Sequence, residues 1–227
     1  VDLYAYRAIA ALILLSLTMV GMGITSRNSG QSGGLNILPF SPPSVTISED
    51  ALSSDERRFL LSLTEKMKMV QDLYIVLDRR WRLTMFSAMR RGEQKGMERL
   101  SGLVNHYGLT HPTSGRLLGS FGDPAIAKLY GELVKMGMVS RSEAIRAGGF
   151  IEEMMVRDFG AAAQGSQHPD LKGSFLDLQR SARNHLRYHA GAMELLGRIY
   201  RAQYLSSVEV TAIIASPLES TTPTPNP

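Results

Sequence analysis

The side chains available for chemistry in this chain are histidines and carboxylates, because it contains no cysteine. That excludes disulfides, thiolate zinc sites, iron–sulfur clusters and cysteine nucleophiles together. Any metal must use imidazole nitrogen and carboxylate oxygen. His185 and His189 lie four residues apart, so a helix carrying both puts them on one face, where they could clip a metal ion or simply be two unrelated histidines. The densest basic cluster is Arg79, Arg80, Trp81 and Arg82 followed by Arg90 and Arg91. It reads as a solvated helix end or, more sharply, as a place where an acidic partner or lipid headgroups dock. The 12 methionines fall mostly on helix-face core positions and are not read as copper ligands. No glycine-rich phosphate loop and no spaced Ser/His/Asp set is present.

The elements that must position these residues follow from periodicity and punctuation. A chain of 227 residues with 44% hydrophobic and 20% charged content allows one ordinary domain with appendages. Apolar content is concentrated at the start. Ala8 to Ile24 carries no charge, which predicts a single membrane-spanning anchor over 1–25. A Ser/Gly/Asn/Pro-rich tether over 26–52 follows, and a Pro/Thr-rich, extended tail over 206–227 closes the chain. Between them, residues 53–205 read as helical. Ser53 or Ser54 caps a helix to about Arg80, and a second runs from Thr84 to about Tyr107. Asp123-Pro124 opens a short insert to about Lys135, Ser140 and Glu143 open a third long helix to about Ala163, and a fourth follows His168-Pro169-Asp170 to about Tyr204. The fold class expected is all-α, a four-helix bundle with a short inserted helix. The net charge of +4 and pI near 9.4 are far from the dense basic stripes that nucleic acid selects.

The segments FSAMRRGEQKGMERLSGLVNHYGL, GGFIEEMMVRDF, RSARNHLRYH and YRAQYLSSVEVTAIIASP together resemble a bacterial and archaeal ferritin-like family, one classed as a domain of unknown function, over about Leu60 to Pro217. The resemblance implies a ferritin-like bundle with a di-iron or di-manganese site made of glutamates and Glu-x-x-His pairs. Position by position, several ligands are lost. Of the family's run of glutamates on the first helix only Glu65 remains, followed by Lys66, Met67 and Lys68; Glu93 is followed three residues later by Gly96 instead of histidine. Glu152 and Glu153 stand at the acidic pair, and His185 is preceded by Ala182 where a further ligand is expected. The resemblance therefore leaves Glu93, Glu152, Glu153 and His185 as residual metal positions. The expectation is that they are vacant and form a polar network with Arg183, Tyr188 or each other.

These readings converge on a non-catalytic, membrane-anchored accessory subunit of a larger membrane complex, such as a photosynthetic or respiratory assembly. No cofactor is expected; the bundle lies outside the cytoplasm, and anchor, tether and tail contact neighbouring subunits and the bilayer. The alternative is a periplasmic metal-binding or di-iron oxidase-like protein holding iron or manganese.

Overall fold

The computed structural model describes residues 51–220, and every regular element among them is a helix. The anchor expected over 1–25, nearly all of the tether and the last part of the tail lie outside the described residues. Among the described residues no helix is long and apolar enough to cross a membrane.

Helix α1 (Ser54–Trp81) begins with a full capping box: Ser53 Oγ accepts the Glu56 N–H, and the Glu56 carboxylate accepts the Ser53 N–H at 3.0 Å. The other Glu56 oxygen accepts the backbone N–H groups of Gln167 and His168 at 2.8 and 3.1 Å. One buried carboxylate thus starts α1 and ties it to the turn between the last two long helices. Burial opposes its charge, yet the hydrogen bonds from His168 and Ser53 outweigh that and bring its pKa down to about 2.

Arg82 ends α1 in the left-handed region at φ 52°, and α2 (Thr84–His106) starts two residues later, so the pair runs antiparallel. Helix α3 (Pro124–Gly137) has Asp123 as cap and proline at its first position, as the sequence predicts. Ser140 caps α4 (Arg141–Gly165) by accepting the Glu143 N–H at 3.1 Å, while the Glu143 side chain turns to Arg146 instead of closing a box.

Helix α5 (Pro169–Leu195) stops about nine residues short of the expected Tyr204. The stop is Gly197 at φ +67°, with the N–H groups of Gly197 and Arg198 returning to the carbonyls of Glu194 and Met193. The expected extended tail is also corrected: Ser206 opens a sixth helix, α6 (Ser207–Ala215), with its own capping box. Arg187 then donates to the carbonyls of Ile213 and Ser216, and Arg183 pairs with Glu219. The chain from 207 to 219 is bound along α5, so its Pro/Thr-rich composition describes only what lies beyond.

The four long helices close a ring in the order α1, α2, α5, α4, with α3 laid over α1 and α4. Residues 147–156 of α4 are buried without interruption because α1, α5 and the 200–205 segment cover all its faces. α4 and α5 pack most intimately. Between α2 and α5 a groove remains.

Candidate metal centre

Each helix of the ring sends one polar side chain to the same buried point. Tyr74 comes from α1, Glu93 from α2, Glu152 from α4 and His185 from α5; His189, one turn further along α5, completes the group. One ligand-type atom each from Glu93, Glu152 and His185 lies within 4.8 Å of the others. His185 Nδ1 is 2.6 Å from a Glu93 oxygen and 3.4 Å from a Glu152 oxygen, and it makes no aligned hydrogen bond to either. Tyr74 donates its hydroxyl proton to Glu152, and His189 Nε2 is 3.0 Å from the same hydroxyl oxygen. A phenol has one proton, already given to Glu152, so His189 must supply the second hydrogen bond as an Nε2–H donor.

Glycines set the room for this arrangement. A Cβ at Gly148 would overlap the His189 ring, and one at Gly149 would overlap Tyr200. The pair Gly148-Gly149 therefore accepts two aromatic rings one helical turn before Glu152 and Glu153. On α2, a Cβ at Gly92 would lie 3.1 Å from His185 Nε2, so the outer edge of that imidazole faces the thinned wall of the α2–α5 groove. His185 lines both halves of this groove: an apolar cavity of about 720 Å³ with Met85, Met89 and Leu195, and a polar one of about 480 Å³ with Lys95, Arg99 and Asp177. The centre is buried yet reachable through one side chain.

The electrostatics separate the two histidines. Burial opposes a charge on His185, but the Glu152 and Glu93 carboxylates outweigh it and hold its pKa well above the usual range. His189, fully buried, is lowered to about 3 by burial and then by the charge on His185, so it stays neutral. Burial, with Glu93 beside it, raises Glu152 despite the His185 charge. Burial and then Glu152 and Glu93 push the Tyr74 phenol well above 10, so it remains a donor.

The structure brings together Glu93, Glu152 and His185 but not Glu153. That carboxylate faces the other side of α4, where it accepts the Tyr200 hydroxyl at 2.7 Å and the backbone N–H groups of Gln203, Tyr204 and Leu205. Its lone pairs are committed to the segment after α5. Glu65 is likewise spent elsewhere, accepting the N–H groups of Gly122 and Asp123 ahead of α3. The network partners expected from sequence are also replaced: Arg183 binds Glu219 and Tyr188 is 53% exposed, while Tyr74 and His189 take their places. Tyr74 lies on the apolar stripe of α1 with Val70, Leu73 and Leu77, and only its hydroxyl marks it out from the core.

The docking cluster divides in the same way. Arg79, Arg80, Arg82, Arg90 and Arg91 are exposed, whereas Trp81 is half-buried and donates its indole N–H to the Gly137 carbonyl at 2.7 Å, with the Arg80 guanidinium over its ring. Trp81 closes the end of α1 onto α3.

Residues 56–217 match the family model described as an uncharacterized protein domain, DUF2202. The chain belongs to this family. A relative, the uncharacterized protein MJ0754 of Methanocaldococcus jannaschii, is 28% identical over 174 residues, covering 77% of this chain and 94% of that protein. The crystal structure of hypothetical protein MJ0754 from Methanococcus jannaschii DSM 2661 is similar at a TM-score of 0.72 and 28% identity, over 81% of this chain and 99% of that one. The DUF2202 region runs from the Glu56 cap of α1 past the end of α6, so it contains every residue of the centre and the 200–205 segment that Glu153 holds. Within it, apolar atoms crowd Gly96, three residues after Glu93: a Cβ there would stand 3.0 Å from Met67 Cε and 3.0 Å from Leu178 Cδ2.

Proposed function

We propose that this DUF2202 chain is a ferritin-like bundle that has kept one position of a two-metal centre and lost the other. It would hold a single divalent ion through Glu93, Glu152 and His185. The observation that carries this reading is the convergence of three buried ligand atoms within 4.8 Å, with His185 Nδ1 facing two carboxylate oxygens and making no aligned hydrogen bond to either. Two carboxylates and one imidazole suit iron(II), manganese(II) or zinc(II). When bound, such an ion supplies Lewis acidity. The chain's own residues do the rest: Tyr74 orients Glu152 by hydrogen bond, His189 holds Tyr74, and Gly92 leaves His185 facing the groove.

Loss of the second position, where Met67 faces Gly96, removes the paired ions that di-metal oxidation needs. The role that fits is therefore non-catalytic and structural. The apolar run from Ala8 to Ile24 and the exposed arginines at one end of the bundle favour membrane attachment as an accessory subunit on the extracytoplasmic side.

Metal analysis after anaerobic incubation with each ion tests the centre. One equivalent per chain is expected, lost in Glu93→Ala and in His185→Ala. Affinity should rise about tenfold per pH unit through the neutral range, because His185 must release the proton its neighbours stabilise. No bound metal above the level of either variant overturns the reading.

A further inference from the structure

One end of the bundle gathers the turn from α1 to α2, the turn from α3 to α4 and the exit of α5. Trp81 bound to the Gly137 carbonyl joins the first two, and Met85 with Leu195 on one cavity wall joins the third. Exposed aliphatic side chains stand on two of its connections: Leu195 is 90% exposed, Ile199 81% and Val139 66%. Exposed cations surround them. Arg79 and Arg82 flank the first turn, Arg90 and Arg91 follow on α2, Arg141 opens α4 beside Val139, and Arg198 lies between Leu195 and Ile199. The acidic residues beside these positions are Asp78, Glu194 and Glu143, the last paired with Arg146.

We propose that this end is a docking surface for an anionic lipid bilayer. Two of the tips, Leu195 and Ile199, come from the exit of α5 and the third, Val139, from the turn between α3 and α4, and all three stand among guanidinium groups. A fluid interface accepts such scattered tips a few ångströms deep while arginines reach lipid phosphates. Charge complementarity selects the anionic leaflet. The docking end lies at the Trp81 end of α1, about 42 Å along the helix from Ser54. The proposal takes its high local concentration from the membrane-attachment reading, while its geometry stands apart from it.

The sequence contains one tryptophan, Trp81, and it lies at this end, so its fluorescence reports on docking alone. The full chain is mixed with phosphatidylcholine vesicles, with or without about 30% phosphatidylglycerol, and acrylamide quenching of Trp81 is measured alongside flotation. With the anionic lipid, the quenching slope should fall by about half and recover in about 0.5 M NaCl. The shielding should be lost in Arg79→Glu/Arg90→Glu/Arg91→Glu and weakened in Leu195→Gln/Ile199→Gln, each with unchanged helix content. Equal quenching in both vesicle types overturns the docking surface, as does shielding that ignores salt. Flotation separates the two readings: a chain that fails to float with neutral vesicles lacks the anchor, yet can still show lipid-dependent shielding of Trp81.

Discussion

At the scale of single residues, the centre is decided by what Met67 and Gly96 are. Glu93, Glu152 and His185 meet on one side of the bundle core, and the adjoining space is filled by the Met67 thioether and Leu178 against a glycine. A glycine inside a helix costs about 1 kcal/mol against alanine, so Gly96 is not there for α2. Its lack of a side chain is what lets the apolar plug lie against the helix. Introducing Met67→Glu with Gly96→His exchanges the thioether for a carboxylate and adds an imidazole beside it, with the Leu178 side chain turning aside. The double variant is expected to bind one equivalent of iron(II) or manganese(II) more than the parent. Either single variant should stay at the parent's stoichiometry, since each leaves an apolar neighbour or an uncompensated buried group. Metal stoichiometry by mass spectrometry of digested protein checks this, and a double variant that binds no more than the parent argues that the lost position cannot be rebuilt from these two residues.

At the scale of elements, Glu153 shows how a carboxylate adjacent to the centre serves the fold instead. Four donors converge on it from the segment between α5 and α6, the Tyr200 hydroxyl and three consecutive backbone N–H groups. Burial raises its pKa despite these bonds. Glu153→Ala would leave all four donors buried without an acceptor, at about 1–3 kcal/mol each before relaxation. A loss of at least ~3 kcal/mol in urea unfolding is expected, together with faster amide exchange at Gln203, Tyr204 and Leu205 and little change in metal stoichiometry. The same elements show what could be read in advance. Caps at Ser53, Asp123 and Ser140 were legible because capping chemistry is local, and they fixed where α1, α3 and α4 begin. The end of α5 departs from the expected Tyr204 because Gly197, in the left-handed region, stops the helix, and α6 departs from the expected tail because its Ser206–Glu209 capping box is local while the prolines lie downstream. Tyr74 belongs to the centre for a reason no local pattern carries: Gly148 on another helix opens the space in which the His189 ring meets its hydroxyl. Which of Glu152 and Glu153 faces the centre was likewise undecidable from adjacency, since the two differ by about 100° around α4.

At the scale of the whole molecule, the buried titratable groups make stability depend on pH in opposing ways. His189 has a folded pKa of about 3 against an ordinary 6.5, so below pH 6.5 the unfolded chain gains a proton that the folded chain refuses. Stability from this residue is present above 6.5 and is lost as pH falls towards 3. Glu56, at about 2 in the fold, acts in the same sense but only below its ordinary 4.5. His185 acts oppositely: its raised pKa favours the fold below 6.5, and that contribution disappears as pH rises through the folded value. Raised Glu152 also disfavours the fold as pH rises above 4.5. The His189 contribution can be isolated by comparing the metal-free parent with His189→Gln, whose amide keeps a donor for the Tyr74 hydroxyl but does not titrate. Between about pH 4.5 and 6.5 the parent should lose ~1.4 kcal/mol per pH unit relative to the variant. Urea midpoints across that window read the difference directly. Parallel pH profiles for the two proteins would mean that His189 takes up a proton in the fold at Nδ1, against the burial and the His185 charge that hold its pKa down.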